Sequence, residues 1–338
     1  MMEKVNKYLL LAVAAIALFS CAQEKDESER SIQERILDAY VEVNCPDADR
    51  WDSGIVMLNR EEGTGDTLNM YEAGFFKYSI QSISGNYTET NYEDLAKVLG
   101  TYSKSNYYGP KYYDLGYETT YAGLEEVMYK MRVGGKAKFI LPPWLSNTTE
   151  DGSWNNGTSV IYEIELKDVV ENMLEWQQDT MKAYANTHYP GLDTLSANFY
   201  FKKLYDAGAD TLKNENVNVR YIGRLLDGWV FDTNIADTAK KYGIYDKTKE
   251  YNALQVLFNE ELTQMVEDNS LVEGFCMALQ NMSYGDKAFT MFYSEYGYST
   301  TGSDQIGPYQ PLIFWLYIEP DDDADDSSSD ESEETEEE

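Results

Sequence analysis

The residues best suited to chemistry in this chain lie between Val217 and Thr233. The run alternates Val217, Val219 and Tyr221, turns at Asp227-Gly228, and returns through Val230 and Phe231 to Asp232. Period-two alternation predicts a strand. Asp-Gly between two apolar strands predicts a hairpin, because such a turn needs positive φ. The hairpin offers a phenol, an apolar ring and a carboxylate. Other chemistries have little to stand on. The only histidine, His188, sits in a His-Tyr-Pro-Gly turn, and no Cys or His cluster has metal-ligand spacing. Ser/His/Asp or Cys/His catalysis would hang on that one residue, so neither metal nor cofactor is expected.

The elements that position this hairpin come in two copies. Near the front of each half a strand-like run precedes a turn: Ser53 to Leu58 before Glu62-Gly63-Thr64-Gly65-Asp66, and Phe199 to Leu204 before Ala207-Gly208-Ala209-Asp210. A strand carrying Tyr78 or Tyr221 follows, an offset of 143. A short amphipathic helix comes next, with Leu124, Val127, Met128 and Met131 in one half and Val272, Phe275, Cys276 and Leu279 in the other, at i, i+3, i+4, i+7. Gly134-Gly135-Lys136 and Gly285-Asp286-Lys287 then open strands, and both halves close on apolar strands, Val160 to Leu166 and Leu312 to Ile318. The second offset is 151, so the second copy holds eight extra residues, expected between Tyr242 and Tyr251. The order predicts an α+β fold: two domains, each an antiparallel sheet packed on a short helix. Val170 to Asn186 reads as a helix joining them.

The chain ends read differently. Lys4 and Lys7 precede an apolar run from Tyr8 to Phe19, too short to span a bilayer, and Leu18-Phe19-Ser20-Cys21 closes it. Cys21 resembles the lipidated cysteine of bacterial lipoproteins, which implies a diacylglycerol anchor and loss of residues 1–20. The acidic stretch after it resembles surface-export signals of Bacteroidetes lipoproteins, and a periplasm-facing anchor is the alternative. Residues 321–338 hold only Asp, Glu, Ser, Thr and one Ala, so they are expected to form a disordered tail. Without that tail's twelve acidic residues the net charge falls from −33 to −21, still acidic, which excludes a nucleic-acid backbone as partner. Export permits disulfides, but Cys45 and Cys276 stand far apart in the pattern and are expected as separate thiols.

The pattern Val-x-Val-x-Tyr-x-Gly-x-Leu-x-Asp-Gly-x-x-Phe-Asp resembles the first hairpin of the FKBP-type peptidyl-prolyl cis/trans isomerases, the macrolide-binding immunophilins. The resemblance extends along the second half. Leu271-Val272-Glu273-Gly274-Phe275 is similar to the family's Val-Ile-x-Gly-Trp, with Phe275 in place of the tryptophan floor. Tyr298 falls on the family's substrate-binding tyrosine, followed by Ser299 where the family has glycine. Ile306, two residues before Pro308, matches the apolar residue of the flap, and Phe314 the aromatic of the last strand. The resemblance implies catalysis by Tyr221, Phe231, Asp232 and Tyr298, with Leu271, Val272, Phe275, Ile306 and Phe314 binding substrate. The peptide C–N barrier of about 18–20 kcal/mol comes from resonance, and a dry aromatic cup favours the less charge-separated twisted amide.

In the first half the same register gives Tyr78, Thr88 at the phenylalanine position, Glu89 at the aspartate position, Leu124 at the tryptophan position and Asn147 for the substrate tyrosine. Only Tyr78 and Tyr162 remain of the pocket aromatics, so this copy is expected to be inactive. Tyrosines 102, 107, 108, 112, 113, 117 and 121 crowd its middle loop, as a peptide or glycan surface or as cover for a small core.

The sequence thus predicts a signal peptide (1–20), a tether (21–50), a degenerate FKBP-like domain (51–170), a linker helix (171–195), an FKBP-like isomerase domain (196–320) and an acidic tail (321–338). The expected function is prolyl isomerisation that assists folding of exported proteins, from an outer-membrane lipid anchor. The expected partners are proline-containing segments of those proteins and the membrane. The alternative is a non-enzymatic lipoprotein that grips peptide or glycan on the same fold.

Overall fold

The computed structural model describes residues 28–320 apart from 118–119, 147–156, 193, 197, 210 and 214. The expected signal, Cys21, Asn147 and the acidic tail lie outside the described residues. The first module runs α1 (Glu29–Asn44), β1 (Asp49–Arg50), β2 (Val56–Glu61), β3 (Ala73–Ser82), β4 (Tyr87–Thr90), α2 (Glu93–Leu99), β5 (Lys111–Asp114), α3 (Ala122–Met128), β6 (Lys136–Leu141) and β7 (Val160–Val170). The second runs α4 (Met173–His188), β8 (Thr194–Ser196), β9 (Phe199–Tyr205), β10 (Asn216–Leu225), β11 (Val230–Thr233), α5 (Ala236–Tyr242), β12 (Leu254–Leu257), α6 (Leu262–Asn269), α7 (Glu273–Leu279), β13 (Lys287–Phe292) and β14 (Leu312–Ile318).

The two sheets have the same order. One is β1-β2-β6-β7-β3-β4 with β5 beside β3; the other is β8-β9-β13-β14-β10-β11 with β12 beside β10. Every named pairing is antiparallel. Along β10 the alternation holds as expected, with Val217, Val219, Gly223 and Leu225 buried on the core face. Pocket-side helices α3 and α7 bury Leu124, Val127 and Met128, and Phe275, Cys276 and Leu279, the positions their spacing predicted. Cys45 and Cys276 are free thiols, and burial pushes the Cys276 thiol up to about 12.

Two expectations need correction. The eight extra residues of the second copy are not at Tyr242–Tyr251. The offset of 143 runs unbroken through β5 and β12, and Tyr102–Tyr108 and Tyr245–Tyr251 are equivalent stacked pairs, 5.4 and 5.1 Å apart. The insertion is α6, which buries Met265 against the core and is tied to edge strand β12 by Asn269, whose amide bonds both Leu257 N–H (2.8 Å) and Leu257 C=O (2.9 Å). Nor is the stretch 21–50 all tether. Leu37, Tyr40 and Val41, at helical spacing on α1, pack on Val56, Ile140 and Ile161 at the back of the first sheet.

Helix α4 is the counterpart of α1. Each begins on a side-chain cap, Ser28 Oγ accepting from Ser31 N and Asn172 Oδ1 from Glu175 N, both at 3.3 Å. Met181 and Ala185 of α4 pack on Tyr200, Phe289, Met291 and Ile313 behind the second sheet. Its first turn also grips the first module, where Trp176 stacks on Phe75 at 4.8 Å. The joining helix is therefore part of the repeat and touches both modules. No helix among the described residues is long and apolar enough to cross a membrane.

Candidate functional site

In the second module β10, β11, α7 and β14 bring the aromatic candidates together. Phe314 is the hub: Phe275 stands edge-on at 5.2 Å, Phe231 edge-on at 5.7 Å, and Phe292 stacked at 5.9 Å. Tyr221 meets Phe275 at 5.9 Å and Phe314 at 6.3 Å. Phe275 and Phe314 are buried, forming a floor, while Tyr221, Phe231, Leu271, Val272 and Tyr298 are half-buried around it. Gly223 makes the floor possible, since a Cβ there would lie 2.5 Å from the Phe231 ring. At the hairpin tip only Gly228 takes positive φ, +92°.

Polar groups sit at the rim. The Tyr221 hydroxyl donates to Asp232 Oδ2 at 2.6 Å, and the Thr233 N–H donates to Oδ1 at 2.8 Å. Burial and then the Asp232 carboxylate push the Tyr221 phenol far above its usual range. The Tyr298 phenol is raised by the same two causes in the same order. Both are therefore neutral donors at neutral pH. Val272 is the N-cap of α7 and its carbonyl accepts from Phe275 N (3.1 Å). Among the described residues nothing accepts from the Val272 N–H, leaving a donor at the cup wall. Ile306 is buried in the loop from Gly302 to Pro308, where Ser303 N donates to Ile306 O at 2.8 Å. Ser299 takes the left-handed conformation, φ +51°, where the resemblance expected glycine.

Three residues at this rim escaped sequence reasoning. Lys249 forms an ion pair with Asp232 and donates to Thr233 O at 3.1 Å. Trp229 at the hairpin tip packs 6.4 Å from Phe231, and its indole N–H donates to Lys104 O of the first module at 3.1 Å. Tyr107 of the first module lies 5.2 Å from Trp229 and packs on the second core. A lysine two residues before the equivalent of Tyr108 is a signal only once the offset of 143 is extended to Tyr251. The inter-module contacts leave no trace in local pattern.

The first module repeats the rim but not the floor. Tyr78 donates to Glu89 as Tyr221 does to Asp232. Asn91 and Asn234 latch the strands identically: Asn91 amide donates to Phe76 O (3.0 Å) and Asn234 amide to Val219 O (2.8 Å). Thr90 and Thr233 hydroxyls donate to Tyr78 O and Tyr221 O. The cup itself is changed. Ile80 stands opposite Tyr162 as Gly223 stands opposite Phe314, and Thr88 replaces Phe231. A cavity of about 500 Å³ nonetheless remains, lined by Tyr78, Tyr113, Tyr121, Leu124 and Tyr162 and closed by Thr300 and Tyr309 of the second module. Tyr113 of β5 and Tyr121, the N-cap of α3, thus replace the lost rings.

Residues 209–318 match the model of the family described as FKBP-type peptidyl-prolyl cis-trans isomerase. Among solved structures the chain is similar to a peptidyl-prolyl cis-trans isomerase from Pseudomonas syringae pv. tomato (23% identity, 44% of this chain and 91% of that one, TM-score 0.32). It is also similar to the three FKBP domains of wheat FKBP73 (16%, 80% and 95%, 0.29) and to FkpA from Escherichia coli (19%, 44% and 61%, 0.31). No curated protein matches the chain. The fold is FKBP-like in both halves, and in the second the sequence itself, over residues 209–318, matches the FKBP-type peptidyl-prolyl cis-trans isomerase family.

Proposed function

We propose that the second module is a peptidyl-prolyl cis/trans isomerase and that the chain assists the folding of exported proteins from a lipid anchor on Cys21. The observation that carries the reading is the cup centred on Phe314, with Phe231 and Phe275 set edge-on around it and neutral phenols at its rim. A proline ring seats between Phe231, Val272, Phe275 and Phe314, with Leu271 extending the wall and Ile306 covering the opening. The Val272 N–H and Tyr298 hydroxyl hold the flanking carbonyls. Asp232, fixed by Tyr221, Thr233 N–H and Lys249, stands beside the rotating one. Removing water favours the twisted amide, whose charge separation is smaller than that of the planar ground state. The chain's own groups orient and desolvate, and no proton needs to move.

The first module, with Ile80 and Thr88 in the cup, is read as non-catalytic. The anchor and export reading is supported by residues 1–21 of the sequence and by the acidic stretch behind them. A proline-isomerisation assay on the full chain tests the function. Wild type is expected to exceed the uncatalysed rate, Phe231→Ala to lose at least about tenfold, and Tyr298→Phe to lose less. A wild-type rate equal to background sinks the enzyme reading in favour of a peptide- or glycan-binding lipoprotein.

A further inference from the structure

We propose that the tyrosine-lined cup of the first module, with the groove leading from it, holds the extended polypeptide whose proline occupies the second cup; this rests on the isomerase reading. The 500 Å³ cup does not stand alone. Beside it lies a cavity of about 700 Å³ between the modules, and the two share Tyr78, Glu89, Lys111 and Tyr112 as walls. The far side of the larger cavity is the loop Thr301 to Pro308, and its lining includes Ile306, the residue that also packs on the core under the proline cup. The groove therefore runs from one cup to the flap of the other. Both volumes fall in the range of sites that enclose ligands.

The lining chemistry fits peptide backbone and mixed side chains. Burial raises the phenols of Tyr78, Tyr113 and Tyr162 above their usual range, the last to about 12, so they stay neutral donors and flat apolar faces. Lys111 stands over the Tyr78 and Tyr113 rings at 5.5 and 5.7 Å. Glu89 and Asp304 line the groove with that single lysine, so no field of one sign selects a polyanion. Thr88, Gln305 and Gln310 add donors and acceptors along the path, as recognition of extended chains requires. The orientation of the modules is fixed at this groove by Tyr112 against Tyr309 (4.9 Å) and Trp229 against Tyr107.

The test compares two substrates on the full-length protein: a proline tetrapeptide that fills only the second cup, and a peptide about twelve residues long with the same core, long enough to leave it. Wild type is expected to show about tenfold lower KM for the long peptide. Tyr87 and Tyr121 line the groove and the cup but are 36% and 47% exposed, so truncating them leaves the core intact. In Tyr87→Ala/Tyr121→Ala the long-peptide advantage should vanish while kcat/KM on the tetrapeptide stays at the wild-type value. Equal KM for both peptides in wild type overturns the proposal, as does an advantage that survives the double substitution. So does saturation by a soluble oligosaccharide that leaves peptide KM unchanged. If neither peptide is isomerised, fluorescence polarisation of the labelled long peptide decides. Binding lost in the double variant upholds the holding site while the isomerase reading fails, and absent binding overturns both.

Discussion

Gly223→Ala is the sharpest probe of the proline cup. An added Cβ would stand 2.5 and 2.6 Å from two atoms of the Phe231 ring and 2.9 Å from the Phe314 ring. Carbon atoms rest at about 3.5–4.0 Å, so a ring must recede by about 1 Å. Phe314 is boxed in by Phe275 and Phe292, so Phe231, half-buried at the rim, is the one that yields. Gly223 has no positive φ, so its backbone accepts alanine. Removing a strand glycine contributes about 0.5–1 kcal/mol of stability, against about 1–3 kcal/mol for overpacking. The net loss is at most about 2.5 kcal/mol, and the protein stays folded. Positioning is far less forgiving: a displacement of about 1 Å costs up to about 100-fold in rate. We expect kcat/KM for proline peptides to fall about 10- to 100-fold, or about 1.4–2.7 kcal/mol in the barrier, with circular dichroism unchanged. The first module supplies the control, because Ile80 occupies the equivalent position. Ile80→Gly should leave the rate untouched. A folded Gly223→Ala protein with the wild-type kcat/KM would refute the claim that Phe231 shapes the site.

Trp229→Ala removes both the bond to Lys104 O and the ring contact with Tyr107, and should lower stability by about 1.5–2.5 kcal/mol in urea titration, given aromatic pairs of about 0.5–1.5 and hydrogen bonds of about 1 kcal/mol. Asp286 has no exposed surface and accepts from Lys203 (2.7 Å), Ala207 N (2.9 Å) and Ser283 N (2.8 Å). Burial pushes its carboxyl up, but Lys203 and the two amides outweigh it and hold the value below the usual range. Its contribution is therefore complete above the unfolded carboxyl range near about 4 and is lost as pH falls through the lowered folded value. Asp286→Asn turns an amide donor toward groups that are themselves donors. It should cost about 3 kcal/mol at neutral pH and flatten the acid limb of an unfolding-midpoint profile.

The sequence was legible where structure is set within a dozen residues. Asp227-Gly228 and the alternation from Val217 to Leu225 specify a hairpin locally, and the i, i+3, i+4 spacing of Val272, Phe275 and Cys276 fixes which face of α7 meets the sheet. It was illegible where a contact joins distant segments. Nothing near Tyr107 announces that it packs on the second module, and nothing near Asp232 announces Lys249. That the eight extra residues lie in α6 and not at Tyr242–Tyr251 was illegible for a related reason. The change of offset from 143 to 151 bounds an insertion only between Tyr221 and the next matched motif, an interval that holds both the tyrosine-rich stretch and Leu262, Met265 and Val266. The stacked pairs Tyr102–Tyr108 and Tyr245–Tyr251 keep the offset of 143 and so place the insertion after Tyr251.

The internal comparison also changes which residues count as diagnostic. A hydroxyl donating to a carboxylate, followed by Thr and a latching Asn, occurs in both modules: Tyr78, Glu89, Thr90 and Asn91 against Tyr221, Asp232, Thr233 and Asn234. A feature kept in a cup that has lost its phenylalanine walls is first of all a device that pins the hairpin, since it satisfies backbone groups at a strand end. The Tyr221–Asp232 pair therefore cannot by itself mark catalysis. What the second module has and the first lacks is the aromatic wall: Gly223 in place of Ile80 lets Phe231, which replaces Thr88, close on Phe314, and Phe275 replaces Leu124. If the chemistry is only desolvation and orientation of a proline amide, those three differences are sufficient to confine it to one module, and the shared polar pair becomes the frame that holds the wall upright.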